Sequence, residues 1–266
     1  MTLHLLIVDA QQDFCDGPCN GALAIPGAYD DMCRLARMVH RLAPRIDVIH
    51  ATMDAHHTVD IAHPAWWRDA AGDAPAPFTV ITATEIELGA WTPSDPACRE
   101  RSLRYVRQLE AQGNYPLCIW PPHCLIASSG QSLHPELFSA LCGWERSRLR
   151  HVDYSIKGSN PWTEHYSAIR AEVLDPEDAK TMPNVELLRA LDTADTVVVA
   201  GEALSHCVRA TVTDIARALG FDCLRRFVFL TDASSNVPGF EAYGDAFLAE
   251  MRKRGMRTST TEALLA

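Results

Sequence analysis

Short apolar runs alternate with longer stretches in which apolar positions recur at helical spacing, and this alternation dominates the chain. Residues 3–8 form one run, closed by Asp9. Residues 46–52 form another, leading into Asp54. Runs at 117–120, 152–156, 196–200 and 227–230 read as further core strands. Met32, Leu35, Ala36, Val39 and Leu42 mark one face of a helix that Pro44 ends. Val208, Thr211, Val212, Ile215, Ala216 and Leu219 mark another, with Gly220 placed as its stop. Helices are also expected over 185–191 and 240–254. Continuous apolar strands separated by amphipathic helices imply an α/β fold: a mainly parallel central sheet inside a three-layer α/β/α sandwich.

Residues 66–115 fit this rhythm less well and read as an insertion. They hold a short strand near 78–82 and a helix started by Asp95 as N-cap and Pro96, running to Gly113. Because the insertion joins strands whose C-terminal ends face the presumed site, it is expected to fold over that site as a lid or wall. An oligomer contact or a second small core is the plainer alternative.

At 266 residues with 47% hydrophobic content, the chain reads as one domain over 1–266. A formal net charge of -10 argues against nucleic acid as a partner and leaves small molecules as the expected ligands. Nine scattered cysteines, and no basic-then-apolar leader, point to a reduced, cytoplasmic protein. No apolar run approaches the roughly 18 residues of a membrane span.

The strand ends carry the chemistry. Asp9, Asp54 with His56, Lys157 and Cys207 each follow an expected strand, at the edge where open α/β sheets bind ligands; His123 follows the run at 117–120. Cys207 lies where a strand gives way to a helix, so free backbone N–H groups and the helix dipole are expected to pull its pKa below roughly 8.5. An inert buried cysteine is the alternative. Asp9 as base, Lys157 as fixed charge and Cys207 as nucleophile make a coherent set. Asp54, His56, His57, His63 and His123 offer donors suited to Zn²⁺, Fe²⁺ or Mn²⁺.

In order along the chain, Val8-Asp9-Ala-Gln-Gln-Asp13-Phe14-Cys15, Asp54-Ala-His56, Trp120-Pro-Pro-His123-Cys124, Lys157-Gly158 and Gly201-Glu-Ala203-Leu-Ser-His-Cys207 resemble the signature blocks of the nicotinamidase branch of the isochorismatase-like cysteine hydrolases. The resemblance implies the isochorismatase-like hydrolase fold, with Asp9, Lys157 and Cys207 as catalytic triad. It implies Asp54, His56 and His123 as ligands of a divalent metal, zinc first and iron or manganese as alternatives, and leaves His63 open as a further ligand. Phe14 and Trp120 would sandwich the substrate ring, the backbone N–H groups of Ala203 and Cys207 would form the oxyanion hole, and the Glu202–Ala203 peptide would be cis. The implied activity is release of ammonia from nicotinamide or a close analogue through a thioester on Cys207, by a homo-oligomer. Another small amide, carbamoyl or ureide substrate is the runner-up, and a non-catalytic redox-sensing relative the alternative from a different class. Glu202 and Ser205 depart from the branch's usual pattern, next to the nucleophile. Trp162 and His165 are candidates to line the entrance.

Overall fold

The computed structural model describes residues 1–265. Ten strands run in chain order as β1 (Leu3–Val8), β2 (Val48–Asp54), β3 (Trp67–Arg68), β4 (Val80–Ile81), β5 (Thr92–Pro93), β6 (Leu117–Cys118), β7 (Asp153–Lys157), β8 (Thr196–Gly201), β9 (Phe227–Leu230) and β10 (Arg257–Ser259). The α-helices are α1 (Ala28–Leu42), α2 (Ala83–Glu87), α3 (Arg99–Gln112), α4 (Pro135–Arg148), α5 (Val185–Asp192), α6 (Arg209–Leu219) and α7 (Glu241–Lys253).

Six strands form one sheet in the order β10-β9-β8-β1-β2-β7, parallel throughout. From β1 the chain moves to β2 and then to β7. From β8 it moves the other way, to β9 and β10. Right-handed crossovers in opposite directions put α1 and α4 on one face and α5, α6 and α7 on the other. The strand pair β1 and β8 is therefore the topological switch point, and the crevice beyond their carboxyl ends is where a ligand fits.

The apolar runs form these strands because both faces of the sheet are covered. Every residue of β1 and β9 is buried, and all of β8 except Thr196. The expected face of α1 is buried at Met32, Leu35, Ala36, Val39 and Leu42. Gly220 at φ 84 stops α6, and Gly113 at φ 66 stops α3.

Three expectations change. The run at 117–120 is not a core strand: β6 pairs antiparallel with β4 in a separate two-stranded sheet, beside Ile119 and Trp120. The run at 152–156 is the sheet's edge strand, with Tyr154 and Ile156 exposed. Residues 66–115 are not a lid. They form β3 to β5, α2 and α3, and they buttress the site from behind: the Tyr115 hydroxyl donates to the Ser205 carbonyl at 3.0 Å, and Tyr105 accepts the Glu164 N–H at 3.1 Å. The helix α4 and strand β10 lack a strong apolar pattern and were not anticipated.

Gly201 ends β8 at φ +122, and a Cβ there would lie 2.0 Å from the Val8 carbonyl oxygen. Gly201→Ala should therefore lower the unfolding free energy by at least about 2 kcal/mol in urea titration. A change near zero would mean that β1 and β8 can move apart at no cost.

Candidate active site

The ends of β1, β2 and β7 meet in one buried cluster beside Cys207. Asp9 follows β1 in the left-handed region at φ 46, which Asp tolerates. Its Oδ1 accepts the Thr52 hydroxyl at 2.6 Å, and its Oδ2 lies 2.8 Å from Lys157 Nζ. Lys157 ends β7, directly beside Asp54 in the β2–β7 register, and its Nζ is 3.2 Å from Asp54 Oδ1. The same ammonium donates to the His165 carbonyl at 2.8 Å and lies 3.8 Å from Cys207 Sγ. Ligand atoms of Asp9, Asp54 and Cys207 all lie within 4.8 Å of one another.

Burial works against the charge of Lys157, but Asp54 and then Asp9 overcome it and push its pKa well up. Burial likewise works to raise Asp54, yet His56 and Lys157 hold its carboxyl well below the ordinary 3.8. Asp9 is raised, because burial outweighs the opposing pull of Lys157.

Cys207 differs from expectation in one respect. It lies in a single π-helical turn, Leu204–Val208, and is 4% exposed. Burial, followed by the opposing pull of Lys157 and the push of Asp9 and Asp54, leaves its thiol well above the usual value. The helix end does not outweigh desolvation beside two carboxylates, so the sulfur keeps its proton until a base removes it. The peptide geometry differs too. No peptide bond is cis among the described residues, Glu202–Ala203 included; the chain turns instead through Ala203 at φ 58.

Asp54, His56 and His123 form a second cluster, with ligand atoms within 4.8 Å. Each histidine is oriented by its other ring nitrogen. His56 Nδ1 pairs with Asp60 Oδ2 at 3.2 Å, and His123 Nδ1 donates to the Pro121 carbonyl at 2.9 Å. His63 Nδ1 donates to the His57 carbonyl at 3.0 Å, and its Nε2 is buried without a partner. Ring centroids of His56, His63 and His123 lie 4.8 to 5.6 Å apart. Burial, reinforced by the facing His56, lowers His63 to about 4 and His123 to about 3, leaving neutral rings with free lone pairs. Such outer-shell tethers are what metal-binding imidazoles need, and the orphaned Nε2 of His63 fits a cation. His57 supplies a carbonyl instead of its ring.

A tight cavity of about 20 Å³ is lined by Phe14, Leu23, Asp54, His56, Trp120, His123, Glu164, His165, Tyr166, Ala203, His206, Cys207 and Val237. No residue of 66–115 is among them. Trp162 is not either; it packs on Trp66 and under Arg101, beside a separate groove of about 400 Å³.

Several residues at the site escaped sequence reasoning. The Gln11 side chain clamps Asp54, donating to its carbonyl at 2.7 Å and accepting its N–H at 2.6 Å. Asp13 Oδ2 accepts the Cys124 N–H at 2.6 Å and so ties the first loop to the His123 loop. Ser205 Oγ accepts the Val237 N–H at 3.1 Å and pairs with His206 Nδ1 at 2.9 Å, which orients that imidazole on the cavity wall. The proximity of Gln11 and Asp13 to Asp9 was the available signal; nothing in the sequence marked Glu164.

Along the chain, the nicotinamidase of Escherichia coli is 28% identical over 217 residues, covering 82% of this chain and 77% of that protein. The nicotinamidase/pyrazinamidase of Mycobacterium tuberculosis is likewise 28% identical, over 213 residues, covering 80% of this chain and 78% of that protein, so the chain is similar in sequence to nicotinamidases. The fold agrees. The yeast nicotinamidase bound to the inhibitor nicotinaldehyde superposes with a TM-score of 0.66 at 18% identity, over 97% of this chain and 100% of that one. The pyrazinamidase of Pyrococcus horikoshii in complex with zinc does so with a TM-score of 0.58 at 20% identity, over 98% and 99%. No protein-family model matches the sequence.

Lys157→Met should lower unfolding free energy at pH 7 by about 3–5 kcal/mol, because two buried carboxylates lose their counter-ion. The Asp54 contribution to wild-type stability is complete above its ordinary value of 3.8 and is lost as pH falls through its lowered folded value. The deficit of the variant should therefore shrink on acidification toward pH 3, as read by urea titration across pH; a constant deficit would contradict the pairing.

Proposed function

We propose that this protein is a metal-containing cysteine amidohydrolase that releases ammonia from nicotinamide or a close analogue. The observation that carries the reading is the cavity-facing thiol of Cys207 beside the buried Asp9–Lys157 pair, with Nζ 2.8 Å from Asp9 and 3.8 Å from the sulfur. The likeness to nicotinamidases supports the substrate class.

In this mechanism Asp9 takes the proton of Cys207 as the sulfur attacks the amide carbonyl carbon. Carbon–sulfur bond formation places negative charge on the carbonyl oxygen, to which the backbone N–H groups of Ala203 and Cys207 donate. Asp9 passes its proton to the amide nitrogen, the carbon–nitrogen bond breaks, and ammonia leaves an acyl thioester on Cys207. Asp9 then takes a proton from water, whose oxygen attacks the thioester; the proton returns to sulfur as the acid departs. Lys157 holds Asp9 in place and offsets the negative charge that moves between carboxylate and sulfur. Phe14 and Trp120, both on the cavity wall, hold the ring so that the carbonyl meets the thiol.

Asp54, His56 and His123 would hold the divalent ion, with His63 Nε2 as a further donor. Nitrogen donors with one carboxylate suit zinc best, and iron or manganese next. When bound, such an ion supplies Lewis-acid polarisation at that end of the cavity. The redox-sensing alternative needs a thiolate open to oxidant, whereas Cys207 is 4% exposed and keeps its proton. All nine cysteines are unpaired, which suits a reducing compartment such as the cytoplasm.

Cys207→Ala should cut ammonia release from nicotinamide by at least about a thousandfold while leaving the near-ultraviolet circular dichroism unchanged. Wild-type enzyme quenched during turnover should carry an acyl adduct on Cys207 in mass spectra; substantial turnover by the variant would defeat the scheme. Calorimetric titration of metal-stripped protein should show one zinc ion per chain. His123→Ala should abolish that binding, and Asp60→Asn should weaken it by about 10–100-fold. Unchanged affinity in His123→Ala would place the ion elsewhere.

A further inference from the structure

Two carboxyl side chains line the cavity. Asp54 is held by His56 and Lys157. Glu164 is 3% exposed and has a carboxyl oxygen within 4.8 Å of ligand atoms of His56 and Asp60, and its Oε1 is buried with no hydrogen-bond partner. A carboxyl oxygen removed from water without a partner is destabilising, and such atoms persist where a ligand completes the bonding.

The backbone that carries it is tied down. The Glu164 N–H donates to Tyr105 Oη at 3.1 Å, and its carbonyl accepts the Glu172 N–H at 2.8 Å. Its neighbour Tyr166 accepts the Trp120 indole N–H at 3.0 Å, which ties this stretch to the aromatic wall of the cavity. Beside it on the cavity wall stand the Tyr166 hydroxyl and the imidazoles of His165 and His206. His165 Nδ1 accepts the Gly158 N–H at 3.4 Å, which puts its proton on Nε2. Glu164 adds an acceptor, because a carboxyl oxygen accepts whether the group is neutral or ionised.

We propose that Glu164 forms a second polar subsite, accepting a hydrogen bond from an N–H or O–H on the substrate ring, and that the preferred substrate is a heteroaromatic carboxamide bearing an amino or hydroxyl substituent. The proposal rests on the amidase reading above and narrows it. On this reading the ring of unsubstituted nicotinamide offers Glu164 no donor. A site built around a buried polar group discriminates against a ligand that cannot satisfy it.

The test compares kcat and KM for nicotinamide and for its amino- and hydroxy-substituted forms at ring positions 2, 5 and 6. Wild type, Glu164→Gln and Glu164→Leu are each assayed for ammonia release. In wild type at least one donor-bearing amide should exceed nicotinamide in kcat/KM by roughly tenfold or more, chiefly through KM. Glu164→Gln keeps an acceptor and should keep the preference; Glu164→Leu should bring the ratio to about one. A role confined to orienting His56 or supporting the fold would change all amides by the same factor, and that result overturns the proposal, as does the absence of any preference in wild type. If no amide releases ammonia, the amidase reading fails by itself. Quenching of tryptophan fluorescence by the same compounds then reads the preference directly, and equal affinities would overturn the subsite too.

Discussion

A buried ammonium between two buried carboxylates is the constraint on which the site depends. Lys157, with 3% of its side chain exposed, meets Asp9 at 2.8 Å and Asp54 at 3.2 Å. Removing three charges from water is tolerable only when they are mutually paired, so β1, β2 and β7 must end at the same level of the sheet. The register does this: Asp54 stands beside Lys157, and Val8 beside Gly201. Cys207 then falls within reach because β8 lies against β1 at the switch point.

A second tier of contacts fixes directions rather than positions. Gln11 grips the backbone of Asp54 from both sides, and Asp13 ties the loop after β1 to the loop carrying His123. Carbonyl partners on Nδ1 turn the imidazoles of His63 and His123, and Asp60 turns that of His56, whose Nε2 meets Asp54 Oδ2 at 3.1 Å. Gly158 belongs to this tier as well. A Cβ there would come within 2.5 Å of Asp54 Oδ1, so the residue after Lys157 must be bare.

The sheet and its strand-end residues were legible because β1, β8 and β9 are buried on both faces and read as unbroken apolar runs. The edge strand β7 was legible as a strand but not as an edge, since Tyr154 and Ile156 are apolar and yet exposed. Residues 117–120 carry the same apolar signature as a core strand, but Leu117 and Cys118 pair in a small antiparallel sheet and Trp120 lines the cavity. The site was legible where a residue type announces its chemistry. The state of Cys207 was not, because it is set by desolvation and by two carboxylates distant in sequence. Glu164 was silent for a related reason: only the fold reveals that its oxygen has no partner.

The insertion and the nucleophile are joined through Tyr115. Its ring stacks on His206 at 5.0 Å, and its hydroxyl holds the carbonyl of Ser205. The turn that carries the sulfur is thus gripped by a segment far away in sequence and outside the cavity. Changes in amino-acid identity along that segment can adjust the aim of the reacting atom without altering any surface that the substrate touches, which gives this architecture a route to retune its rate while its selectivity stays fixed.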